Sequence, residues 1–172
     1  IVLFGERSAY PHGRPSHEVK LKNGDVVLVD MGVVHKNYHS DLTRTLCFGK
    51  IPPDFSSVYD TVLKAQQCAF EVIKPGVAAQ DVDRAARNII AESGYKDFFG
   101  HGLGHGVGLE IHEAPKLGPE SKDIIQTGMV FSNEPGIYLP GKFGIRIEDL
   151  VVCRKNAAEW LTGLPKKEIL CI

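Results

Sequence analysis

The stretch from His101 to His112 reads H-G-L-G-H-G-V-G-L-E-I-H, with three histidines interleaved among Gly102, Gly104, Gly106 and Gly108. Histidine is the commonest metal ligand and the usual acid–base group near neutral pH. One histidine alone is most often a satisfied core or surface residue. Three in one short stretch, of seven in the chain, form a constellation. A helix would put His101 and His105 on one face, but each glycine in a helix costs about 1 kcal/mol relative to alanine. The pattern predicts an extended or looped segment instead, where the backbone comes close to something and the imidazoles point into it.

Carboxylates on other segments can meet these rings. Asp25–Gly32, D-V-V-L-V-D-M-G, and Tyr38–Gly49, Y-H-S-D-L-T-R-T-L-C-F-G, read as strands bounded by glycine. A hairpin turning at His35-Lys36 places Asp30 directly opposite Asp41, about 4.5–5.5 Å apart on one face. Met129–Tyr138, M-V-F-S-N-E-P-G-I-Y, and Gly144–Cys153, G-I-R-I-E-D-L-V-V-C, read as a second strand pair joined around Gly141. This pairing sets Glu134 opposite Glu148, with Arg146 on the face of Glu148. Acids that face each other in the apolar part of a sheet repel, so they raise a pKa or demand a cation.

Asp30, Asp41, Glu134 and Glu148 would converge with His105 central among them. Two divalent cations would neutralise four carboxylates. Oxygen-dominated ligation with one imidazole favours manganese, iron or cobalt, with zinc also admissible. Two metals bridged by carboxylates make hydroxide from water and clamp a tetrahedral intermediate, which is metal-assisted hydrolysis.

The elements that must position these residues follow from the rest of the chain. At 172 residues it is one domain by size, and 43% hydrophobic residues can bury a core. A net charge of −1 without a Lys/Arg block gives no field for nucleic acid. The first residues, I-V-L-F-G-E-R, show no charged n-region or cleavage site, so no signal peptide is expected, and no apolar run approaches the roughly 18 residues of a membrane span. Cys47, Cys68, Cys153 and Cys171 form no C-x-x-C pair; they read as reduced, mostly buried thiols of a cytoplasmic protein. Residues 1–4 read as a buried strand that begins abruptly, and Ser8–Gly13 as a turn presenting His12. Helices are predicted over Asp54–Lys74, ended by Pro75-Gly76, and over Ala79–Ser93, stopped by Gly94. Their charges read as solvated faces. Glu113-Ala114-Pro115 leads into a polar loop running to Thr127.

In this order D-M-G, S-D-L-T-R-T, H-G-L-G-H-G-V-G-L-E-I-H-E-A-P, E-P-G-I-Y and G-I-R-I-E-D resemble the motifs of the proline-specific metallopeptidases, Xaa-Pro dipeptidase (prolidase) and aminopeptidase P. The resemblance covers essentially the whole chain. S-D-L-T-R-T and P-H-G resemble this branch more than methionine aminopeptidase, its sister in the same fold. The resemblance implies an α+β pita-bread (creatinase/aminopeptidase) fold, an antiparallel curved sheet flanked by helices. Residues 1–172 would be the catalytic domain, lacking the family's N-terminal domain and first two helices, and an apolar sheet face should be exposed as a result.

The resemblance further implies a peptidase that hydrolyses the bond before proline through a hydroxide bridging two divalent metals. Mn2+ is the expected ion, with Co2+, Fe2+ or Zn2+ as alternatives. Asp30, Asp41, His105, Glu134 and Glu148 would be the ligands, with Asp41 and Glu148 bridging. Glu134 would also be the general base. His101 would stabilise the tetrahedral intermediate or the leaving proline nitrogen. His12 and His112 would line the proline side, and Arg146 would support the carboxylates or an anionic substrate end. The implied partners are proline-containing dipeptides or short peptides, with no nucleic acid and no membrane, and the full-length protein would be a cytoplasmic homodimer. The alternatives are aminopeptidase P action on longer peptides, a non-catalytic peptide-binding pseudo-peptidase, or creatinase-like or lyase chemistry on the same scaffold. No arginine lies between His112 and Arg146, so no cationic clamp for a dipeptide carboxylate is expected from that loop.

Overall fold

A computed structural model describes all of residues 1–172. The alternating stretches form strands and the 3.6-period stretches form helices. In chain order these are β1 (Val2–Phe4), β2 (Val26–Met31), β3 (Val34–His35), β4 (Tyr38–His39) and β5 (Leu42–Cys47), then α1 (Phe55–Val72) and α2 (Ala79–Glu92). The second half carries β6 (Gly104–Gly106), β7 (Glu113–Leu117), β8 (Val130–Asn133), β9 (Gly136–Leu139), β10 (Phe143–Arg146), β11 (Asp149–Cys153) and β12 (Ala158–Trp160). One sheet has the order β1-β2-β5, a second β12-β11-β8-β6-β7, and β9-β10 and β3-β4 form two hairpins. Every strand ladder is antiparallel. No helix is long and apolar enough to cross a membrane.

The helices pack by a narrow stripe. Val58, Val62, Ala65 and Ala69 of α1 recur at steps of four and three and are fully buried. Ala79, Val82, Ala86 and Ile90 do the same on α2. Both stripes join one core with Phe131, Ile145 and Val151 from the strands. The α2 stripe also contains Asp83, only 1% exposed, so the reading of all helix charges as solvated needs correction.

The first hairpin differs from the expected register. It turns at Lys36-Asn37, whose φ values of 50° and 70° suit the tight turn that matches strand twist. Asp30 therefore faces Thr43, and Met31 faces Leu42. The slip is two residues, an even number, so Asp30 and Asp41 stay on one face as diagonal neighbours. The expected Tyr38–Gly49 strand is two strands broken at Ser40-Asp41, and Glu113–Leu117 is a strand where a loop was expected. Of the four thiols only Cys47 and Cys153 are buried; Cys68 is half-buried and Cys171 exposed.

One face of the β1-β2-β5 sheet turns Leu3 and Leu28 inward, at 2% and 0% exposure. The opposite face carries Val2, Phe4, Val29, Met31 and Leu46, half-buried or exposed, and forms an apolar surface.

Candidate metal centre

The glycines of the histidine stretch let β6 insert between β7 and β8. A Cβ on Gly104 would lie 2.0 Å from the Ser132 carbonyl oxygen, and one on Gly106 would lie 2.2 Å from that of Ala114. These are backbone atoms of the flanking chain and cannot move aside cheaply. Only glycine permits this approach, and the approach puts His105 over the ends of the strands that bear the acids.

His105 Nδ1 donates to the Gly106 carbonyl at 3.1 Å, because a carbonyl only accepts. Nε2 therefore faces the acids, and it is the nitrogen that would give up its proton to ligate a metal. Nε2 lies 3.2 Å from Glu134 Oε1 and 3.7 Å from Asp41 Oδ2. Asp41, His105 and Glu148 each bring a ligand atom into a group whose members are all within 4.8 Å of one another.

Glu134 and Glu148 are delivered by two interrupted ladders. The expected long strands, Met129–Tyr138 and Gly144–Cys153, break at Glu134-Pro135 and Ile147-Glu148. Proline lacks the N–H that would continue the ladder. Gln66 of α1, 1% exposed, reaches into the gap and donates to the Asn133 and Ile147 carbonyls at 3.1 and 3.2 Å. The Ser132 hydroxyl donates to Glu134 Oε1 at 2.9 Å, and the Thr43 hydroxyl donates to Glu148 Oε2 at 2.5 Å.

Asp30 sits apart from the tight group. Its Oδ2 accepts from Arg146 Nη2 at 2.5 Å. Arg146, 2% exposed, also donates to Thr43 Oγ1, to the Pro11 carbonyl beside His12, and to the Tyr138 hydroxyl, at 3.0–3.1 Å. Burial opposes its charge, but Tyr138, Glu148 and Glu134 hold it protonated. His101 Nδ1 donates to the Gly102 carbonyl at 2.7 Å, so Nε2 accepts from the Tyr138 hydroxyl at 2.9 Å. Burial lowers the pKa of His101. The His112 ring stands edge-on to His105 at 4.2 Å.

The electrostatics carry excess negative charge. Burial and the charges of Asp30 and Glu134 push Asp41 up to about 6. Burial, then Glu134 and Asp41, hold Glu148 well above the usual carboxylate range. Burial alone would raise Glu134, but the hydrogen bond from His105 and the charge of Arg146 lower it. Burial opposes the charge on His105, yet Glu134 and Asp41 outweigh it and raise its pKa. Crowded carboxylates with a single buried guanidinium, and an imidazole Nε2 turned toward them, fit divalent cations with oxygen-rich ligation.

Asp30, Asp41, His105, Glu134, Arg146 and Glu148 line one cleft of about 1470 Å³, with His12, His101 and His112 on its walls. His39 and Lys116 also line it. Lys116 pairs with His105 across the β6–β7 ladder, so the two side chains share a face. The loop after His112 holds no arginine, as the sequence shows, but Lys116 after H-E-A-P brings a cationic side chain to the cleft.

The same fold recurs in the X-Pro aminopeptidase of Thermotoga maritima, with a TM-score of 0.96 and 44% identity over 100% of this chain and 48% of that one. The Xaa-Pro dipeptidase of Bacillus anthracis matches with a TM-score of 0.96 and 42% identity over the same shares. The architecture is thus the α+β pita-bread fold expected from the motifs. The profile of metallopeptidase family M24 matches residues 1–155, and the chain belongs to that family. It is 45% identical over 169 residues to the Xaa-Pro dipeptidase of Pyrococcus horikoshii, covering 98% of this chain and 48% of that protein. The chain spans about half the length of the curated relatives it matches.

Proposed function

We propose that residues 1–172 are the catalytic domain of a metallopeptidase that hydrolyses the peptide bond before proline in Xaa-Pro dipeptides. The observation that carries this reading is the convergence of Asp41, His105 and Glu148 ligand atoms within 4.8 Å, beside Glu134, in a chain of the M24 family. Asp30, Asp41, His105, Glu134 and Glu148 would hold two divalent ions, with Asp41 and Glu148 shared between them. Mn2+ suits this mostly oxygen set, as do Co2+ and Fe2+, and Zn2+ is the weaker match. The chemistry such ions supply when bound is ionisation of water near neutral pH and polarisation of the scissile carbonyl.

The chain's own groups would do the rest. Glu134, held ionised by His105 and Arg146, accepts the proton of the attacking water and returns it to the leaving proline nitrogen. His101, whose Nε2 is bound to the Tyr138 hydroxyl, would stabilise the tetrahedral intermediate or the leaving proline nitrogen as part of that pair. His12 and His112 bound the proline side of the cleft. Arg146 fixes Asp30 and, through the Pro11 carbonyl, the segment that presents His12. Lys116 offers an ammonium to the substrate's free carboxylate, which supports dipeptides over longer Xaa-Pro peptides. A pseudo-peptidase would not need all five ligands, and all five are here. The free thiols support a cytoplasmic setting, and the apolar face of the β1-β2-β5 sheet supports burial in a homodimer of the full-length protein.

The test is a manganese titration by calorimetry followed by assay of Xaa-Pro dipeptides against Xaa-Ala controls. Two ions per chain and proline-selective release are expected. Tight manganese binding without any hydrolysis would make this a binding module instead.

A further inference from the structure

The histidine stretch is poor in side chains that could fix its own backbone. Gly100, Gly102 and Gly104 alternate with the residues that matter, and glycine loses the most conformational freedom on ordering. Something outside the segment must hold it. Helix α2 supplies Asp83 and Arg87, joined by two hydrogen bonds of 2.8 Å. Their remaining bonds all go to this backbone. Arg87 Nη1 donates to the Phe99 carbonyl at 2.9 Å and Nη2 to the His101 carbonyl at 2.8 Å. Asp83 Oδ1 accepts the Leu103 N–H at 3.0 Å. The contacts fall on every second residue, so they grip one edge of an extended chain.

Two further contacts carry this grip to the cleft. The Arg87 guanidinium lies 4.2 Å from the Phe99 ring centroid, and that ring stands edge-on to the His101 ring at 5.0 Å. The Leu103 carbonyl accepts the Glu134 N–H at 2.9 Å. A buried ion pair is weak evidence of stabilisation, since an apolar pair of similar volume often serves as well. An apolar pair could not bind three backbone groups.

We infer that Asp83 and Arg87 are positioning residues, which set the His101 ring and the Glu134 backbone from behind the cleft. The kinetic part of the inference rests on the proposed function; the geometric part does not. The test is a double-mutant cycle of Arg87→Gln with His101→Ala in the manganese-loaded chain, measuring kcat and KM on an Xaa-Pro dipeptide. In the wild-type background Arg87→Gln is expected to lower kcat by on the order of ten- to a hundredfold, with KM and the manganese count unchanged. In the His101→Ala background it should have little further effect. Equal losses in both backgrounds, or a loss of bound manganese, would overturn the inference.

A second readout uses nitrogen NMR of histidine-labelled, metal-free chain. The Nδ1–H tautomer of His101 is expected in the wild type and a mixed or exchanging tautomer in Arg87→Gln; an unchanged ring signal also overturns the inference. If the chain hydrolyses no dipeptide, the proposed function fails while this readout still decides the positioning. If Arg87→Gln does not fold because Asp83 is left unpaired, the Asp83→Asn/Arg87→Gln variant, which retains no buried charge, takes its place in both measurements.

Discussion

Glu134 and Glu148 face each other across the gap between two ladders of continuous register. On one side Gly136 pairs with Arg146, and on the other Asn133 pairs with Asp149. Pro135 opens the gap, Gln66 satisfies the carbonyls it frees, and both acids turn into the cleft. Their surroundings then push them apart. Glu134 meets His105 and stays ionised, while Glu148 is more deeply buried and meets mainly other acids. One carboxylate is prepared to accept a proton, and the other waits for a cation.

Removing the charge of Glu148 should therefore stabilise the metal-free chain. Glu148→Gln keeps the shape and an oxygen to accept the Thr43 hydroxyl, but removes repulsion with Glu134 and Asp41. A gain of about 1–2 kcal/mol at pH 7.5 is expected, or a few degrees in Tm. The same variant should bind at least one fewer manganese ion and lose turnover. Thermal melts with and without manganese check both halves. A lower metal-free Tm would show that Glu148 is not in conflict with its neighbours.

The pH dependence has a definite sign. Asp41 is raised from its ordinary 3.8 to about 6, and Glu148 and His105 are raised too. A group whose folded pKa lies above its unfolded value contributes stability at low pH and loses it as pH rises through the folded value. The metal-free chain should thus lose stability from Asp41 as pH rises from 3.8 to about 6, from Glu148 as pH rises above 4.5 and from His105 as it rises above 6.5. Glu134 has the opposite sign, but its window lies below its ordinary value of 4.5. Cation binding must expel the proton that Asp41 partly holds near pH 6, so affinity should fall in acid and binding at pH 6 should release protons. Calorimetry in two buffers of different ionisation enthalpy measures that release. Zero release at pH 6 would refute the coupling.

Gly104→Ala tests why the glycines are there. The added methyl would meet the Ser132 carbonyl oxygen at 2.0 Å, so β6 must move or β8 must yield. The cost should be about 1–3 kcal/mol or somewhat more, with His105 displaced and manganese affinity reduced. Gly141→Ala is a useful contrast. It has open space around it and a φ of 72°, so it should lose stability through backbone strain alone and bind manganese normally. Equal manganese affinity in Gly104→Ala and the wild type would sink the insertion argument.

Most of the candidate site was legible because it lies in contiguous motifs. The glycine pattern foretold a close backbone approach, and the Glu134–Glu148 pairing followed from strand lengths around Gly141. The first hairpin was misaligned because Lys36 and Asn37 both adopt positive φ, which a reading based on side-chain alternation does not detect. An even slip left the facing of Asp30 and Asp41 intact. Asp83, Arg87 and Gln66 were passed over for a different reason. On a helix an acid and a base four apart look like a solvated pair. Only the tertiary packing of α2 against the histidine stretch reveals that these groups bind backbone. Lys116 is inconspicuous in the sequence because a lone lysine after H-E-A-P carries no spacing signal; its ladder pairing with His105 brings it to the cleft.

Arg146 supplies the last prediction. It is the buried cation within contact of this cluster, bonded to Asp30 and 3.9 Å from Glu134. Arg146→Met would strand Asp30 and deepen the repulsion felt by Glu148, and should cost the metal-free chain about 3–5 kcal/mol. It also frees the Pro11 carbonyl, so the segment bearing His12 should become mobile. Arg146→Lys keeps the charge but cannot reach Thr43, Pro11, Tyr138 and Asp30 together, and should fall between the two. Manganese should restore more stability to Arg146→Met than it adds to the wild type, because bound cations take over the compensation of Asp30 and Glu134. Melts of the three proteins across a manganese series check this ordering. A metal-induced rise in Tm that is the same for all three would mean that Arg146 and the metal site do not share these carboxylates.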